Sequence, residues 1–408
     1  MIAVFLAVAI FSSLLAVYFA GIVKNKTAVL ICTALSVKIV FIVFLLLGTS
    51  AGLTVLVACL IGALALFIPA IARLKLEPKT GVKEIIVVFV FIIVAALFSG
   101  GCAVAGPPSP NLEINLKFKP AKILALNREE LFICAETEKY VYKYSLKEKK
   151  ITAVIECGNI PSDLLLDGKR LYISSMAGGS ITAYNIDTKK TWPIKIGGQG
   201  QSALALSKDC GKLYATNMKS SSVSVLDLTS LKVTNKITTG RWPSDITVSP
   251  DGKYLYVICQ YTNTFEVVDL DSEQPVLTKI NTGVSPVSMA LIGRNKVAVV
   301  NEWEYAANHK SAVVIIDTKD GYNVEKSLLV DGGVYCGLTS KSREYLMLSV
   351  PSKDKVIFVN LRTGKKKYEL YFKDYYPKYM TLSTGGGMLF VACPQAKKIM
   401  LINIAGAF

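Results

Sequence analysis

The chain has a single histidine, His309, among its 408 residues. It has no Cys-x-x-Cys pair, no haem-attachment motif and no glycine-rich phosphate loop after a strand. These absences argue against haem ligation and against histidine-rich zinc or copper clusters, so we expect no metal and no cofactor. His309 lies in a loop, where a lone histidine is more often a surface residue than a catalyst. Nothing in the sequence marks a serine partner for it in a hydrolytic triad.

Acidic residues are almost absent from the first 110 positions, which contain only Glu77 and Glu84. Four apolar runs fill this region: Ile2–Val23, Thr27–Leu47, Leu53–Ile71 and Ile85–Val104. Each has roughly the 20 residues that a membrane-spanning helix needs. With 52% hydrophobic residues and a mean hydropathy of +0.43 overall, the composition excludes an ordinary soluble enzyme. We predict four transmembrane helices.

The charges between the apolar runs predict how this segment is oriented. Lys24 and Lys26 follow the first run, and a basic loop joins the third and fourth. The basic residues of that loop are Arg73, Lys75, Lys79 and Lys83. The positive-inside rule places both loops in the cytoplasm. The chain is therefore predicted to be a multi-pass protein of the plasma membrane, with everything after Pro107 on the extracytoplasmic side.

Two residues of the membrane segment are candidates for chemistry. Lys38 lies near the middle of the second run, where an ionisable group is a functional candidate, although its long stem can also reach the interface. Cys102 follows a sequence that loosely resembles a lipoprotein processing site. Because Ser99 stands where that pattern has an aliphatic residue, an unmodified cysteine is favoured over a lipidated one.

The rest of the chain repeats with a period of about 42 residues. Short apolar strands begin at Leu131, Leu171, Leu213, Leu255, Val297, Leu346 and Leu389. A second strand follows each and ends in a small polar residue typical of turns: Ser145, Asn185, Asp227, Asp269, Asp317, Asn360 and Asn403. Prolines precede a further strand at Pro120, Pro161, Pro243, Pro286 and Pro377, with Gln201 and Cys336 in the two remaining places. Seven units of four short strands predict an all-β, seven-bladed β-propeller.

The predicted organisation is a four-helix transmembrane anchor at 1–106, a proline-rich linker at 107–112 and the propeller at 113–408. The last unit ends soon after its third strand, so it lacks an outer one. We expect an isolated strand at 113–118 to complete the seventh blade and close the ring.

The repeat unit carries motifs of a known family. Tyr214-Ala215-Thr216-Asn217 is followed by Ser222–Asp227, and Gly240–Lys253 is especially similar to the family signature. Over residues 113–408 the chain resembles the YVTN-type propellers, which include surface-layer and other extracytoplasmic proteins. Relatives of that family include lactonase and haem d1 propellers. The resemblance implies the fold and agrees with an extracytoplasmic location.

Cysteine usage suggests no disulfide framework. The chain has nine cysteines, an odd number, and Cys134, Cys259 and Cys393 occupy equivalent strand positions in different units. We expect mostly free, buried thiols that act as small hydrophobic residues.

One face of a propeller gathers the segments that enter the first strands and those that join second to third strands. We name this the entry face. The sequence places these binding candidates on it: Arg241, Trp242, Gln201, Tyr261, Trp303, Tyr305, Tyr335, Tyr375, Tyr376, Lys378 and Lys355. Trp, Tyr and Arg are the residue types that dominate binding hot spots. The insertion Glu302–Lys310 is the feature that the regular repeat does not require.

The sequence thus favours a binding or scaffolding module over an enzyme. After residue 110 it has 39 basic and 28 acidic residues, a difference of +11 that favours an acidic partner. Such a partner is an envelope or membrane protein, or an anionic surface polymer. A lactonase- or quinoprotein-like enzyme using the central channel is one alternative, and nucleic-acid binding by aromatic stacking beside basic groups is another.

Overall fold

The computed structural model describes residues 110–272, 276–303, 310–319 and 321–406. The four predicted membrane spans, Lys38 and Cys102 lie outside these residues. Within them, no helical segment is both long enough and apolar enough to span a bilayer. The described chain forms seven four-stranded antiparallel sheets, so the predicted seven-bladed, all-β propeller is confirmed.

The strands are numbered in chain order and grouped here by blade. Strand β1 (Pro110–Asn115) precedes the first blade. Blade 1 has β2 (Pro120–Ala125), β3 (Glu130–Ala135), β4 (Tyr140–Ser145) and β5 (Lys150–Glu156). Blade 2 has β6 (Pro161–Asp167), β7 (Arg170–Ser175), β8 (Ser180–Asn185) and β9 (Thr191–Lys195). Blade 3 has β10 (Gln201–Leu206), β11 (Lys212–Asn217), β12 (Ser222–Asp227) and β13 (Lys232–Thr238), with a 3-10 turn at Met218–Ser220.

The remaining blades follow the same pattern. Blade 4 has β14 (Pro243–Val248), β15 (Tyr254–Cys259), β16 (Thr264–Asp269) and β17 (Val276–Asn281). Blade 5 has β18 (Val284–Ile292), β19 (Lys296–Trp303), β20 (Lys310–Asp317) and β21 (Asn323–Asp331). Blade 6 has β22 (Cys336–Thr339), β23 (Tyr345–Val350), β24 (Lys355–Asn360) and β25 (Lys366–Tyr371), with a 3-10 turn at Pro351–Lys353. Blade 7 has β26 (Tyr379–Leu382), β27 (Met388–Cys393), β28 (Lys398–Asn403) and, as its outer strand, β1.

The polar residue that ends each third strand forms a turn in all seven blades. Ser145 Oγ accepts a hydrogen bond from the Glu148 N–H at 3.1 Å. Asp227 Oδ1 accepts one from the Ser230 N–H at 2.7 Å. At Asn185, Asp269, Asp317, Asn360 and Asn403 the side-chain oxygen likewise accepts a backbone N–H from two or three residues further along the chain. These side chains are therefore occupied by local backbone, as the turn interpretation predicted.

The first strand of each blade is innermost, and neighbouring first strands contact each other around a central channel. Most of these strands contain a bulge near their start. In blade 2, Pro161 pairs with Ser175, the last residue of β7, but Asp163 pairs with Ser174. Ser162 is the extra residue, and it displaces the hydrogen-bond ladder by one position. Asp163, the residue after the bulge, faces the channel.

This register corrects one sequence assignment. Gln201 pairs with Asn217, the last residue of β11, and so occupies a proline position as predicted. Cys336 does not, because it pairs with Ser349, the residue before the last one of β23. Its register matches that of Asp163. Cys336 therefore belongs to the channel position, two residues further along the unit.

The hydrophobic core is divided into seven clusters, one between each pair of adjacent blades. Phe132 of blade 1 packs with Leu171 of blade 2, for example, in a cluster closed by Tyr184. The cluster between blades 7 and 1 unites residues from both ends of the described chain, including Ile114 and Phe390. No blade has a core of its own.

Ring closure depends on β1, which pairs antiparallel with β28. At one end of this ladder Asn115 lies opposite Lys398, and at the other end Pro110 lies opposite Ile402. The sequence placed this strand at 113–118, and the structure has it at Pro110–Asn115. Phe118 lies beyond it, buried and stacked on Tyr142 with ring centroids 4.1 Å apart. Glu113 of β1 forms an ion pair with Lys398 of β28 at 3.0 Å.

We predict that Ile114→Ala lowers the free energy of unfolding by about 2–4 kcal/mol, since it leaves a cavity in the closing cluster. Ile114 is 4% exposed, whereas Leu112 on the same strand is 48% exposed. Leu112→Ala is therefore the matched control and should change stability by less than about 0.5 kcal/mol. Urea unfolding of both variants measures the difference. Equal destabilisation by the two substitutions would contradict a closing role for the buried face of β1.

Candidate functional site

Seven side chains, one from each blade, occupy the channel position, which lies opposite the next-to-last residue of the second strand. We name this set the channel ring. Its members are Lys122, Asp163, Ala203, Asp245, Ser288, Cys336 and Tyr379. Three of them are ionisable at neutral pH, which is unusual for inner strands that otherwise carry mostly apolar residues.

Lys122 and Asp163 form an ion pair across blades 1 and 2. Lys122 Nζ lies 3.1 Å from Asp163 Oδ1, and their side chains are 41% and 10% exposed. Asp163 Oδ2 also accepts the Leu204 N–H of blade 3 at 2.9 Å. Asp163 therefore joins three blades at once. The carboxylates of Asp163 and Asp245 raise the pKa of Lys122 above its ordinary value, so the amine is fully charged.

Asp245 forms the corresponding link between blades 4 and 5. Its Oδ2 accepts the Met289 N–H at 2.8 Å, and its Oδ1 accepts the Ile246 N–H at 2.9 Å. Unlike Asp163, it has no Lys or Arg nitrogen within 4.0 Å among the described residues. Burial raises the pKa of Asp245 from 3.8 to about 6, and the charge of Lys122 opposes this rise only in part.

The other polar members of the ring are neutral at pH 7. Burial raises the pKa of the Cys336 thiol, with Lys122 opposing the rise. Burial likewise raises the pKa of Tyr379 far above its ordinary value. Ser288 Oγ accepts the Gly337 N–H of blade 6 at 3.3 Å. The ring therefore presents hydroxyl and thiol groups beside one ion pair and one further carboxylate.

The entry face carries a stacked aromatic pair on blade 4. The rings of Trp242 and Tyr261 are parallel within 16°, with centroids 4.9 Å apart. The guanidinium of Arg241 lies 6.0 Å from the Tyr261 centroid. Arg241 is exposed, Tyr261 is 58% exposed, and the described residues place no carboxylate within 4.0 Å of Arg241. We name these three residues the Trp242 cluster.

The backbone of Trp242 is held in the left-handed region, with φ of 61°. The residue before the proline position has the same conformation in three other blades, at Gly200, Ser285 and Tyr376. Glycine adopts this conformation without cost, whereas a residue with a side chain loses about 1–2 kcal/mol. Trp242 and Tyr376 therefore hold aromatic rings at the channel entrance in a conformation that favours glycine.

A buried carboxylate positions the segment that leads into Trp242. Glu266 is fully buried, and both of its oxygens lie 3.1 Å from the Gly240 N–H that they accept. Lys279 Nζ neutralises Glu266 at 2.9 Å. At Gly240 a side chain would collide with Thr262 and Glu266, because a Cβ there would lie 2.3 Å from the Thr262 hydroxyl. Glycine is thus required two residues before Trp242.

The other lysines that lie beside the aromatic candidates are paired within the chain. Lys378 Nζ lies 3.3 Å from Glu136 and over the rings of Tyr335 and Tyr379, at 4.7 and 5.2 Å from their centroids. Lys398 pairs with Glu113 and lies 4.7 Å from the ring of Tyr375. Among the sequence candidates, Arg241 of the Trp242 cluster thus has no carboxylate within 4.0 Å in the described residues, whereas Lys378 is neutralised by Glu136.

Two further candidates behave differently from the prediction. Gln201 is wrong as a binding-face residue, because it is fully buried and donates its amide to Asn217 Oδ1 at 3.2 Å. Lys355 is 8% exposed and forms an ion pair with Glu369 at 3.0 Å. Tyr376 is half-buried, and its N–H donates to Asp354 Oδ1 at 2.8 Å. The side chain of Trp303, Tyr305, His309 and most of the Glu302–Lys310 insertion lie outside the described residues.

In the described ranges, no three His, Cys, Asp or Glu side chains are grouped as metal ligands would be. Six described cysteines are unpaired: Cys134, Cys157, Cys259 and Cys393 are buried, Cys336 is half-buried and Cys210 is exposed. Cys134, Cys259 and Cys393 pack in the clusters between blades, where they act as small apolar residues.

The channel ring was not among the sequence candidates, although a signal for it exists. Lys122, Asp163 and Asp245 each stand two residues after a proline, at the start of an otherwise apolar strand. An ionisable residue recurring at one position of a buried strand indicates a cluster in the folded ring. The bulge that turns these residues into the channel leaves no comparable pattern.

Comparison with known proteins supports the fold. The family model described as "Lactonase, 7-bladed beta-propeller" matches residues 190–291, about a quarter of the chain, which include blade 4 and its Trp242 cluster. No curated protein matches the sequence. A chain of the hydrazine synthase of Kuenenia stuttgartiensis is similar at a TM-score of 0.61 and 18% identity, over 72% of this chain and 97% of that one. This chain is a seven-bladed β-propeller.

The raised pKa of Asp245 predicts how stability depends on pH. Because the folded pKa of about 6 exceeds the unfolded value of 3.8, the folded state binds the proton more tightly between these values. The wild type should therefore gain stability relative to Asp245→Asn as the pH falls from 7 to 4. Asparagine keeps an acceptor for the Met289 N–H. Thermal unfolding at several pH values measures this difference. If the melting temperatures of the wild type and of Asp245→Asn changed equally with pH, a strained carboxylate at position 245 would be contradicted.

Proposed function

We propose that this chain is a membrane-anchored binding module whose extracytoplasmic propeller holds an acidic envelope partner, a protein or an anionic polymer, on its entry face. The observation that carries the proposal is the Trp242 cluster. Its aromatic rings are stacked, no carboxylate of the described residues lies within 4.0 Å of its guanidinium, and Trp242 is kept at φ of 61°, where glycine would cost less.

The cluster has the physical properties of a binding hot spot. Trp, Tyr and Arg supply large contact areas with polar tips, and rings already stacked lose little rotamer freedom on binding. Tyr261 remains 58% exposed despite its contact with Trp242, so the stack presents apolar area to a partner. Glu266 fixes the turn at Gly240, which keeps the cluster preorganised.

Electrostatics favour an acidic partner. Lys378, Lys398 and Lys355 are each neutralised by a glutamate, whereas Arg241 has no such partner among the described residues. A guanidinium can bind a carboxylate or phosphate through two parallel hydrogen bonds. The excess of 39 basic over 28 acidic residues after residue 110 adds long-range attraction for acidic molecules.

The cellular setting follows from the sequence. Four apolar runs and their flanking basic loops favour a plasma-membrane anchor with the propeller outside. The YVTN-type motifs agree, because propellers of that kind occur in surface layers and other extracytoplasmic proteins. We accordingly assign the partner to the envelope.

The test compares Trp242→Gly with Tyr322→Gly after mild crosslinking of native membranes and purification of the full chain. Tyr322 has a φ of 56° but precedes β21 on the opposite face, so both variants remove a ring from the same backbone conformation. We expect Trp242→Gly to lose about 2 kcal/mol of binding free energy, which is roughly a 30-fold lower affinity and is seen as a correspondingly lower recovery of the partner. Its unfolding free energy should stay within about 1 kcal/mol, since lost stacking and released strain offset each other.

Mass spectrometry and acidic-sugar analysis of the purified material identify which partner is recovered. Tyr322→Gly should retain the partner at the wild-type level. An unchanged recovery with Trp242→Gly, or a wild-type chain purified with neither protein nor polymer, would refute the proposal.

Lactone hydrolysis is the second candidate function, and the family-model match to residues 190–291 is the observation that favours it. The matched residues include β10 and β14, two inner strands that line the channel. The test is a pH-stat assay of the purified full chain with simple γ- and δ-lactones. Hydrolysis above the uncatalysed rate would support this candidate, and its absence with all lactones would remove it.

A further inference from the structure

The channel ring has an uneven charge balance. It contains two carboxylates, Asp163 and Asp245, and one ammonium, Lys122. Lys122 is committed to Asp163 at 3.1 Å, and no Lys or Arg nitrogen lies within 4.0 Å of Asp245 in the described ranges. The ring as a whole is therefore one positive charge short of neutrality when both carboxylates are ionised.

The surroundings of Asp245 hold its carboxylate in place without neutralising it. The Met289 and Ile246 N–H groups each donate to one oxygen, at 2.8 and 2.9 Å. Each oxygen of a carboxylate has two lone pairs, so one remains on each for a further donor. The Asp245 residue as a whole is half-buried.

The other groups that face Asp245 come from different blades and are suited to a cation. The Cys336 thiol of blade 6 is protonated, because burial raises its pKa. Lys122 of blade 1 and Asp163 of blade 2 complete the charged groups that act on the Asp245 carboxylate. A small anion would meet two carboxylates here. A divalent metal would find one available carboxylate where it needs several oxygen ligands.

We propose that the channel ring binds a small organic cation of the alkylammonium class through the carboxylate of Asp245. The proposal goes beyond the entry-face function, since it concerns a different set of side chains and a different kind of ligand. An ammonium group donates to both open lone pairs of Asp245 and supplies the missing charge.

The chain already accommodates an ammonium beside this channel. Lys378 Nζ lies over the rings of Tyr335 and Tyr379 at 4.7 and 5.2 Å and pairs with Glu136. Tyr379 is the channel-ring member of blade 7. One carboxylate and two aromatic rings thus receive an internal ammonium next to the ring member Tyr379, whereas no internal ammonium lies within 4.0 Å of Asp245 among the described residues.

The experiment titrates the full-length protein with n-butylammonium at pH 7.5 in a calorimeter, with n-butanol and butyrate as neutral and anionic controls. We expect saturable binding of the cation and of neither control. Asp245→Asn, which keeps the acceptor for the Met289 N–H, should weaken binding by about tenfold. Asp269→Asn is the matched control, because Asp269 lies in a turn of the same blade and bonds the Asp271 N–H.

Lys122→Gln gives a prediction of opposite sign. Removing the one ammonium of the ring leaves two uncompensated carboxylates, so n-butylammonium should bind about threefold or more tightly. A ligand recognised through its hydroxyl groups would lose affinity in both variants, since Lys122 would act as a donor. The two variants therefore separate a cation site from a general polar site even if one of them is poorly stable.

Binding should also depend on pH. Asp245 must be ionised to hold the cation, and its pKa is about 6, so affinity should be constant above pH 7 and fall below pH 6. Lys122 remains charged and the Cys336 thiol remains protonated throughout this interval.

A second arm identifies the source of the ammonium. Tighter binding of the capped tripeptide acetyl-Gly-Lys-Gly-amide than of n-butylammonium indicates a lysine side chain of a partner. Weaker binding of the tripeptide indicates a free amine. Absence of saturable n-butylammonium binding, or equal binding to wild type and Asp245→Asn, would overturn the proposal. Neither of these two results tests the Trp242 cluster, so the function proposed for the entry face would be unaffected by them.

Discussion

Every blade of this protein depends on its two neighbours to bury its apolar side chains. The core consists of seven clusters, and each draws residues from two adjacent blades, as Phe132 and Leu171 do across blades 1 and 2. A single four-stranded sheet would expose two apolar faces to water, which is unfavourable. In a closed ring both faces of every sheet are buried against the neighbouring blades. The central channel and the entry face both follow from closure, because it gathers all inner strands at one axis and all entering segments on one side.

Closure also explains why charged residues are tolerated on inner strands. Asp163 and Asp245 each accept an N–H from the next blade, so each carboxylate links two neighbouring blades. Strand β14 carries Asp245 within the channel and follows directly after Trp242 on the entry face. A molecule bound at either place therefore contacts the same short strand. This gives the two proposed sites a physical route for influencing each other.

The sequence was informative where one residue's role is set by its neighbours along the chain. The repeat revealed the blades, and a residue such as Asp227 could be assigned to a turn because its bonding partners lie two and three residues away. It failed where a role depends on registry between strands. Gln201 was placed on a surface although its side chain is buried against Asn217. Cys336 was aligned with prolines although it pairs with Ser349, because the register between two strands leaves no compositional mark.

The closing strand has a consequence for the timing of synthesis. β1 is made before any blade, but its partner β28 begins at Lys398, near the end of the chain. At about 5–20 residues per second, translation keeps β1 waiting for roughly 15–60 seconds with its backbone hydrogen-bonding groups unpaired. An unpaired strand invites aggregation, and charge and proline are the usual protection. Pro110 and Glu113 lie within β1 itself. The residues that later bond the ring together thus also protect the nascent chain until its last strand arrives.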